Sequence, residues 1–194
     1  VTLSTGASSY SYSINSGGAF SGGTGSSFTL PDATYAIDQI QVKNSTSNGT
    51  ESQATTNSSE ITIDTVAPNA PSVTFPSGTT NNNSVSVTLA TGATSYQFST
   101  NGGDNFSVGS LAMSAMGGTS NIGSFVLSDG TYSKDDIQVK NTDAAGNVST
   151  TTNNSSSFTI DTVIPAPPSV TFPSQGLGNI NTVLVTLSSG ATFY

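Results

Sequence analysis

Histidine, cysteine, tryptophan and arginine are absent from this chain of 194 residues, and lysine occurs three times. Without histidine or cysteine there is no Ser-His-Asp or Cys-His nucleophile, no imidazole base and no ordinary zinc ligand set. The missing cysteines also exclude a disulfide framework. Charge is scarce: 7% of the residues are charged, against the usual quarter. Eleven acidic residues against three lysines leave a net charge of −8 and a pI near 4.1. Such a surface repels phosphate backbones and anionic headgroups, so neither nucleic acid nor a lipid surface is an expected partner. No apolar run approaches the roughly 18 residues of a spanning helix, and no basic segment followed by an apolar one opens the chain. No membrane span is expected in this window, and any signal or anchor would lie outside it.

The residues that remain are grouped. Val, Ile, Phe and Tyr fall in short runs separated by Ser, Thr, Asn and Gly, which is the pattern of β-strands joined by polar turns. No stretch has the 3.6-residue apolar period of a helix. The length is sufficient to bury a core without a disulfide or a metal.

Self-similarity organises the chain. Val1-Thr2-Leu3-Ser4-Thr5-Gly6-Ala7 recurs from Val87 as Val-Thr-Leu-Ala-Thr-Gly-Ala, 86 residues on, and from Val185 as Val-Thr-Leu-Ser-Ser-Gly-Ala, a further 98 on. Ile40-Gln41-Val42-Lys43-Asn44 matches Ile137 to Asn141, and Ile63-Asp64-Thr65-Val66 matches Ile160 to Val163, both offset by 97. The second copy therefore carries 11 extra residues between Phe106 and Phe125, and Ser110 to Gly123 reads as an inserted surface loop rich in Gly, Ser, Ala and Met. A period near 90 suits a whole sandwich domain rather than a solenoid unit. The expected organisation is residues 1–66, a repeat lacking its first strand; 67–163, a complete repeat; and 164–194, the opening strands of a third.

Alternation within the complete repeat predicts six strands. They are Ser72–Phe75, Ser84–Ala90 with Val85, Val87 and Leu89 on one face, Ser95–Thr100 with Tyr96 and Phe98 inward, Phe125–Leu127, Asp136–Asn141 with Ile137 and Val139 inward, and Phe158–Asp161. Allowing one more between Tyr96 and Phe125, this makes about seven strands. The fold class is all-β, a tandem of immunoglobulin-like β-sandwiches.

Asp64-Thr65-Val66-Ala67-Pro68, Asp161-Thr162-Val163-Ile164-Pro165, Thr142-Asp143-Ala144-Ala145-Gly146-Asn147 and Ser99-Thr100-Asn101-Gly102-Gly103 together resemble the bacterial immunoglobulin-like (Big-type) tandem repeats of giant extracellular surface and adhesin proteins. The resemblance covers nearly the whole chain and implies a cell-surface or secreted location. Two departures stand out. Phe or Tyr occupies the place where family members often carry Trp, and the first copy has Thr46-Ser47-Asn48-Gly49-Thr50 for the Asp-Ala-Ala-Gly-Asn turn.

Calcium is the one ion the side chains suit, since Asp, Asn and backbone carbonyls are hard oxygen ligands. Asp64 and Asp161, just before the Pro-containing links, and Asp143 and Asn147 in the turn are the candidate ligands. The same residues cap turns without any ion, and the lack of a dense acidic cluster favours that role. Asp32-Ala33-Thr34-Tyr35 and Asp129-Gly130-Thr131-Tyr132 resemble the corner in which a Tyr hydroxyl bonds back to the backbone. Asp135 and Asp136 are adjacent on a strand, point to opposite faces and cannot flank one glycosidic bond, so no catalytic residue is expected. Lys43 and Lys140 follow inward Val42 and Val139, which places their amines outside.

A structural role is expected, a rigid spacer or stalk whose partners are neighbouring repeats of the same chain. Two alternatives are kept. One is self-assembly with other copies of the protein into a filament or sheath. The other is a binding module in which a loop such as Ala112 to Ile122 contacts glycan or protein.

Overall fold

The computed structural model describes residues 1–113, 119–173 and 182–191, and among them every regular element is a strand. In the first repeat these are β1 (Ser9–Ser13), β2 (Ser21–Gly22), β3 (Ala33–Tyr35), β4 (Gln41–Ser45), β5 (Thr55–Thr56) and β6 (Ile61–Ile63). They form one sheet of order β2-β1-β4-β5 and a ladder β3-β6.

The second repeat contributes β7 (Ser72–Thr74), β8 (Gly78–Thr80), β9 (Ser84–Thr88), β10 (Ala93–Ser99), β11 (Ser107–Val108), β12 (Ser110–Met113), β13 (Thr119–Val126), β14 (Gly130–Tyr132), β15 (Gln138–Asp143), β16 (Thr152–Asn153) and β17 (Phe158–Ile160). Two four-stranded sheets have the order β12-β13-β9-β7 and β11-β10-β15-β16, and a separate three-stranded sheet has the order β14-β17-β8, in which β17 and β8 run parallel. With the short strands β8, β14 and β17 set aside and the other eight lettered A, B, C, C′, D, E, F and G in chain order, the two large sheets read D-E-B-A and C′-C-F-G, the strand arrangement of an immunoglobulin-like sandwich. In the third repeat β18 (Ser169–Thr171) pairs antiparallel with β19 (Leu184–Thr186).

Alternation places the core as the sequence predicts. Val85 and Val87 are completely buried on β9, Ile137 and Val139 on either side of the start of β15, and Tyr96 on β10. Phe98 is half-buried and stacks on Phe125 with ring centroids 4.0 Å apart. Residues between these positions, such as Ser84, Ser86 and Thr88, face away from the core with a period of two.

One expectation fails. Ser110 to Gly123 is not a surface loop, because β12 and β13 run antiparallel through it, with Ser110 opposite Ser124 and Leu111 opposite Gly123. Gly123 in this segment, and Gly109 just before it, are small because Tyr96 lies against them. A Cβ on Gly123 would come 2.5 Å from that ring and one on Gly109 would come 2.0 Å from it. Residues 114–118 lie outside the described residues.

By compactness the chain divides into two units. One comprises Val1–Asn69, Thr91–Thr94 and Asn141–Thr150; the other comprises Ala70–Ala90, Ser95–Lys140 and the described part of Thr151–Tyr194.

Candidate functional site

Both repeats use the same devices at corresponding positions, and the end of each repeat is where the acidic residues are engaged. In the first repeat the Thr65 backbone N–H donates to Asp32 Oδ2 at 3.2 Å, and the Thr65 hydroxyl donates to Asp32 Oδ1 at 2.9 Å. In the second, the Thr162 N–H and hydroxyl both donate to Asp129 Oδ1, at 3.1 and 2.8 Å. The pairs are 33 residues apart in each case. A threonine after the last strand is thus clamped by a carboxylate just before the strand that pairs with that last strand.

Asp64 and Asp161, the candidate calcium ligands of the links, act on their own backbone. Asp64 Oδ1 accepts the Val66 N–H at 3.0 Å and Asp161 Oδ1 accepts the Val163 N–H at 3.1 Å. These are local Asp turns that start the linker in a fixed direction.

Asp143 and Asn147 belong to one turn. Asp143 Oδ1 accepts the N–H groups of Ala145 and Asn147, both at 2.9 Å, and its Oδ2 accepts the Asn147 side-chain amide at 3.0 Å. Desolvation at this half-buried position works against ionisation. The Asn147 side chain and the N–H groups of Asn147, Ala145 and Gly146 outweigh it and hold the carboxyl below its ordinary value of 3.8. Where the first repeat has Thr46, the turn is the same: the Thr46 N–H donates to the Thr50 carbonyl at 3.0 Å, as Asp143 N–H does to Asn147 at 3.1 Å. The Thr46 hydroxyl accepts the Thr50 N–H at 3.1 Å. A neutral hydroxyl serves in place of the carboxylate, so the turn does not depend on a charged ligand.

The first compact unit brings three of the four calcium candidates together. Asn147 Nδ2 donates to the Asp64 carbonyl at 2.9 Å, and Asp64 and Asp143 line one open cleft with Pro68 and Thr91. Asn141 Nδ2, fully buried, donates to the Asn69 carbonyl at 2.9 Å. The segment 64–69 is therefore held at both ends by side-chain amides. Asp161 belongs to the second unit. Among the described residues no three carboxylates converge.

Asp135 and Asp136 are engaged locally. Asp136 Oδ2 accepts the Ser133 N–H at 2.7 Å, and Asp135 has a φ of 67°. Lys43 and Lys140 lie outside the core, as alternation predicts, and each amine sits over a phenylalanine: Phe20 at 4.3 Å and Phe106 at 3.7 Å from the ring centroid. The Tyr35 hydroxyl donates to the Pro31 carbonyl at 2.9 Å, and Tyr132 does the same to Ser128 at 3.0 Å, which makes the two predicted tyrosine corners.

Two devices escaped sequence reasoning. Asn57 and Asn154 each accept with Oδ1 the N–H of the residue just before a strand, from Ile40 at 2.8 Å and from Ile137 at 2.9 Å. Each donates its amide to two carbonyls, Ala36 and Ser59 in one repeat and Ser133 and Ser156 in the other. Their recurrence at the repeat offset was the available signal. In the other device, Tyr10 and Tyr96 lie across Gly23 and Gly109, whose N–H groups donate to the tyrosine carbonyls at 2.9 and 3.0 Å. Burial raises the Tyr96 phenol above its ordinary value of 10.0. Of the loop Ala112 to Ile122 considered for binding, residues 114–118 lie outside the described residues.

No family model matches the sequence, and no curated protein matches it. Among solved structures, the chain is similar to the fibronectin(III)-like modules of Clostridium thermocellum CbhA, with a TM-score of 0.44 and 12% identity over 82% of this chain and 81% of that one.

Proposed function

We propose that this chain is a load-bearing spacer segment of an extracellular surface or fibre protein, built of immunoglobulin-like repeats with stiffened links and without catalytic activity. The observation that carries the reading is the duplicated clamp, Asp32 on Thr65 and Asp129 on Thr162, which ties the first residues of each link to its own sandwich. A link so anchored has fewer free residues, and Pro68, Pro71, Pro165, Pro167 and Pro168 restrict those that remain to extended geometry. The scarcity of charge and the use of seven of the eleven carboxylates as acceptors for backbone or hydroxyl donors fit a module whose polar groups serve its own fold.

Small-angle scattering on the chain tests it. A single elongated particle whose maximum dimension, extrapolated to infinite dilution, is unchanged by calcium or chelator supports a stiff spacer. A distribution of dimensions characteristic of a freely jointed chain would overturn it. Asp129→Ala and Asp32→Ala should broaden the distribution, since each releases one link from its clamp.

A further inference from the structure

The sheet β12-β13-β9-β7 contains no charged residue on any of its four strands. The outward positions of its two central strands are Ile122, Ser124 and Val126 on β13 and Ser84, Ser86 and Thr88 on β9, paired across the ladder as Ile122 with Thr88, Ser124 with Ser86 and Val126 with Ser84. Val126 is 71% exposed and Ile122 48%. A shallow depression runs over Ser86, Ser124 and Ile122. We propose that this face is a lateral docking surface for a second copy of the same chain.

Charge selects the occupant. The chain carries −8 with only three cations, so two copies repel wherever carboxylates face each other. This sheet lets them approach without bringing like charges together. The chemistry is also self-complementary, because each Ser and Thr hydroxyl is both donor and acceptor and can pair with its own kind across a two-fold axis. A cationic partner would be drawn to the carboxylates elsewhere, and a strongly apolar one would leave the serines unpaired.

Area sets the strength. Four strands about 4.8 Å apart, each presenting about five residues at roughly 3.4 Å, offer on the order of 300 Å². A stable pair needs about 800 Å² per partner, so one repeat docks weakly. Several repeats in one chain turn later contacts into intramolecular ones and multiply the affinity. Among the described residues this four-stranded sheet occurs once, in the second repeat, so the chain is expected to pair weakly through a single patch. At the repeat offsets Ser27 and Thr29 lie on no strand, while Leu184 and Thr186 on β19 stand at the positions of Ser86 and Thr88 and are likewise uncharged.

Sedimentation of the 194-residue chain at rising concentration, in about 0.15 M and 1 M salt, tests the proposal, because screening removes the repulsion that opposes docking. The weight-average mass should rise with concentration, more steeply at high salt. Ser86→Glu combined with Val126→Glu should lower the association constant at least about tenfold, the size of a 1.4 kcal/mol loss. Asn105→Glu, away from the sheet, should leave it unchanged. Amide resonances of Ser84–Thr88 and Ile122–Val126 in the parent chain should shift with concentration, which locates the contact even where a variant fails to fold. A chain that stays at 19.5 kDa throughout would overturn the proposal, as would concentration-dependent shifts confined to other strands. The spacer reading would survive either result, since it is tested by the particle dimension of a single chain.

Discussion

At the scale of the residue, the second repeat depends on a few side chains that satisfy several partners at once. Asn154 is 1% exposed and answers one backbone N–H and two carbonyls. Asn154→Ala leaves these buried groups unpaired and should cost about 3 kcal/mol, read as a lower urea midpoint with an unchanged slope. Gly109 is required for a different reason. A Cβ there would stand 2.0 Å from the ring of a completely buried tyrosine, so Gly109→Ala should cost about 2 kcal/mol through overpacking. In combination with Tyr96→Leu it should cost less than the two single changes summed, because removing the ring removes the clash. Asp143 gives a pH signature. Its folded pKa lies below the unfolded value, so its contribution is complete above the unfolded pKa, near 3.8, and is lost as pH falls through the folded value. Asp143→Thr, which copies the first repeat's Thr46, should keep the turn and remove that loss, checked by amide exchange at Ala145 and Asn147.

The elements were legible in the sequence to the extent that they bury branched or aromatic side chains alternately. β9, β10 and β15 sit where Val, Tyr and Ile recur every second residue. β12 and most of β13 were not legible, since Ser, Gly, Ala and Asn mark a loop when no bulky residue shows the pleat, and the reason Gly123 is a glycine is a tyrosine from another strand. The acidic residues were half legible. Their recurrence showed that Asp32 with Asp129, and Asp64 with Asp161, matter in both copies. It did not show that Asp129 reaches Thr162, because the partner is 33 residues away and becomes a neighbour only when β14 pairs with β17. The pairing gives an element-scale prediction. Asp129→Ala should speed hydrogen exchange of the Thr162 amide and proteolysis between Thr162 and Pro165, while exchange in β9 and β15 stays unchanged.

On the scale of the whole molecule, the question is whether an ion or the chain's own donors hold the links. Calcium takes six to eight oxygen ligands, and a site at Asp64, Asp143 and Asn147 would have to release donors those carboxylates already hold. The turn also forms around Thr46 in the first repeat, where a hydroxyl replaces the carboxylate. On the proposed spacer reading, these two facts lead to the expectation that protein hydrogen bonds, not calcium, hold the links. The contrast is measurable. Even a weak extracellular-type site with a Kd of about 1 mM would add about 1.4 kcal/mol at roughly 10 mM calcium. Thermal unfolding should therefore follow the same curve in about 10 mM calcium and in chelator. A rise of a few degrees with calcium, abolished by Asp64→Asn, would place an ion in the cleft and make the link an ion-gated hinge.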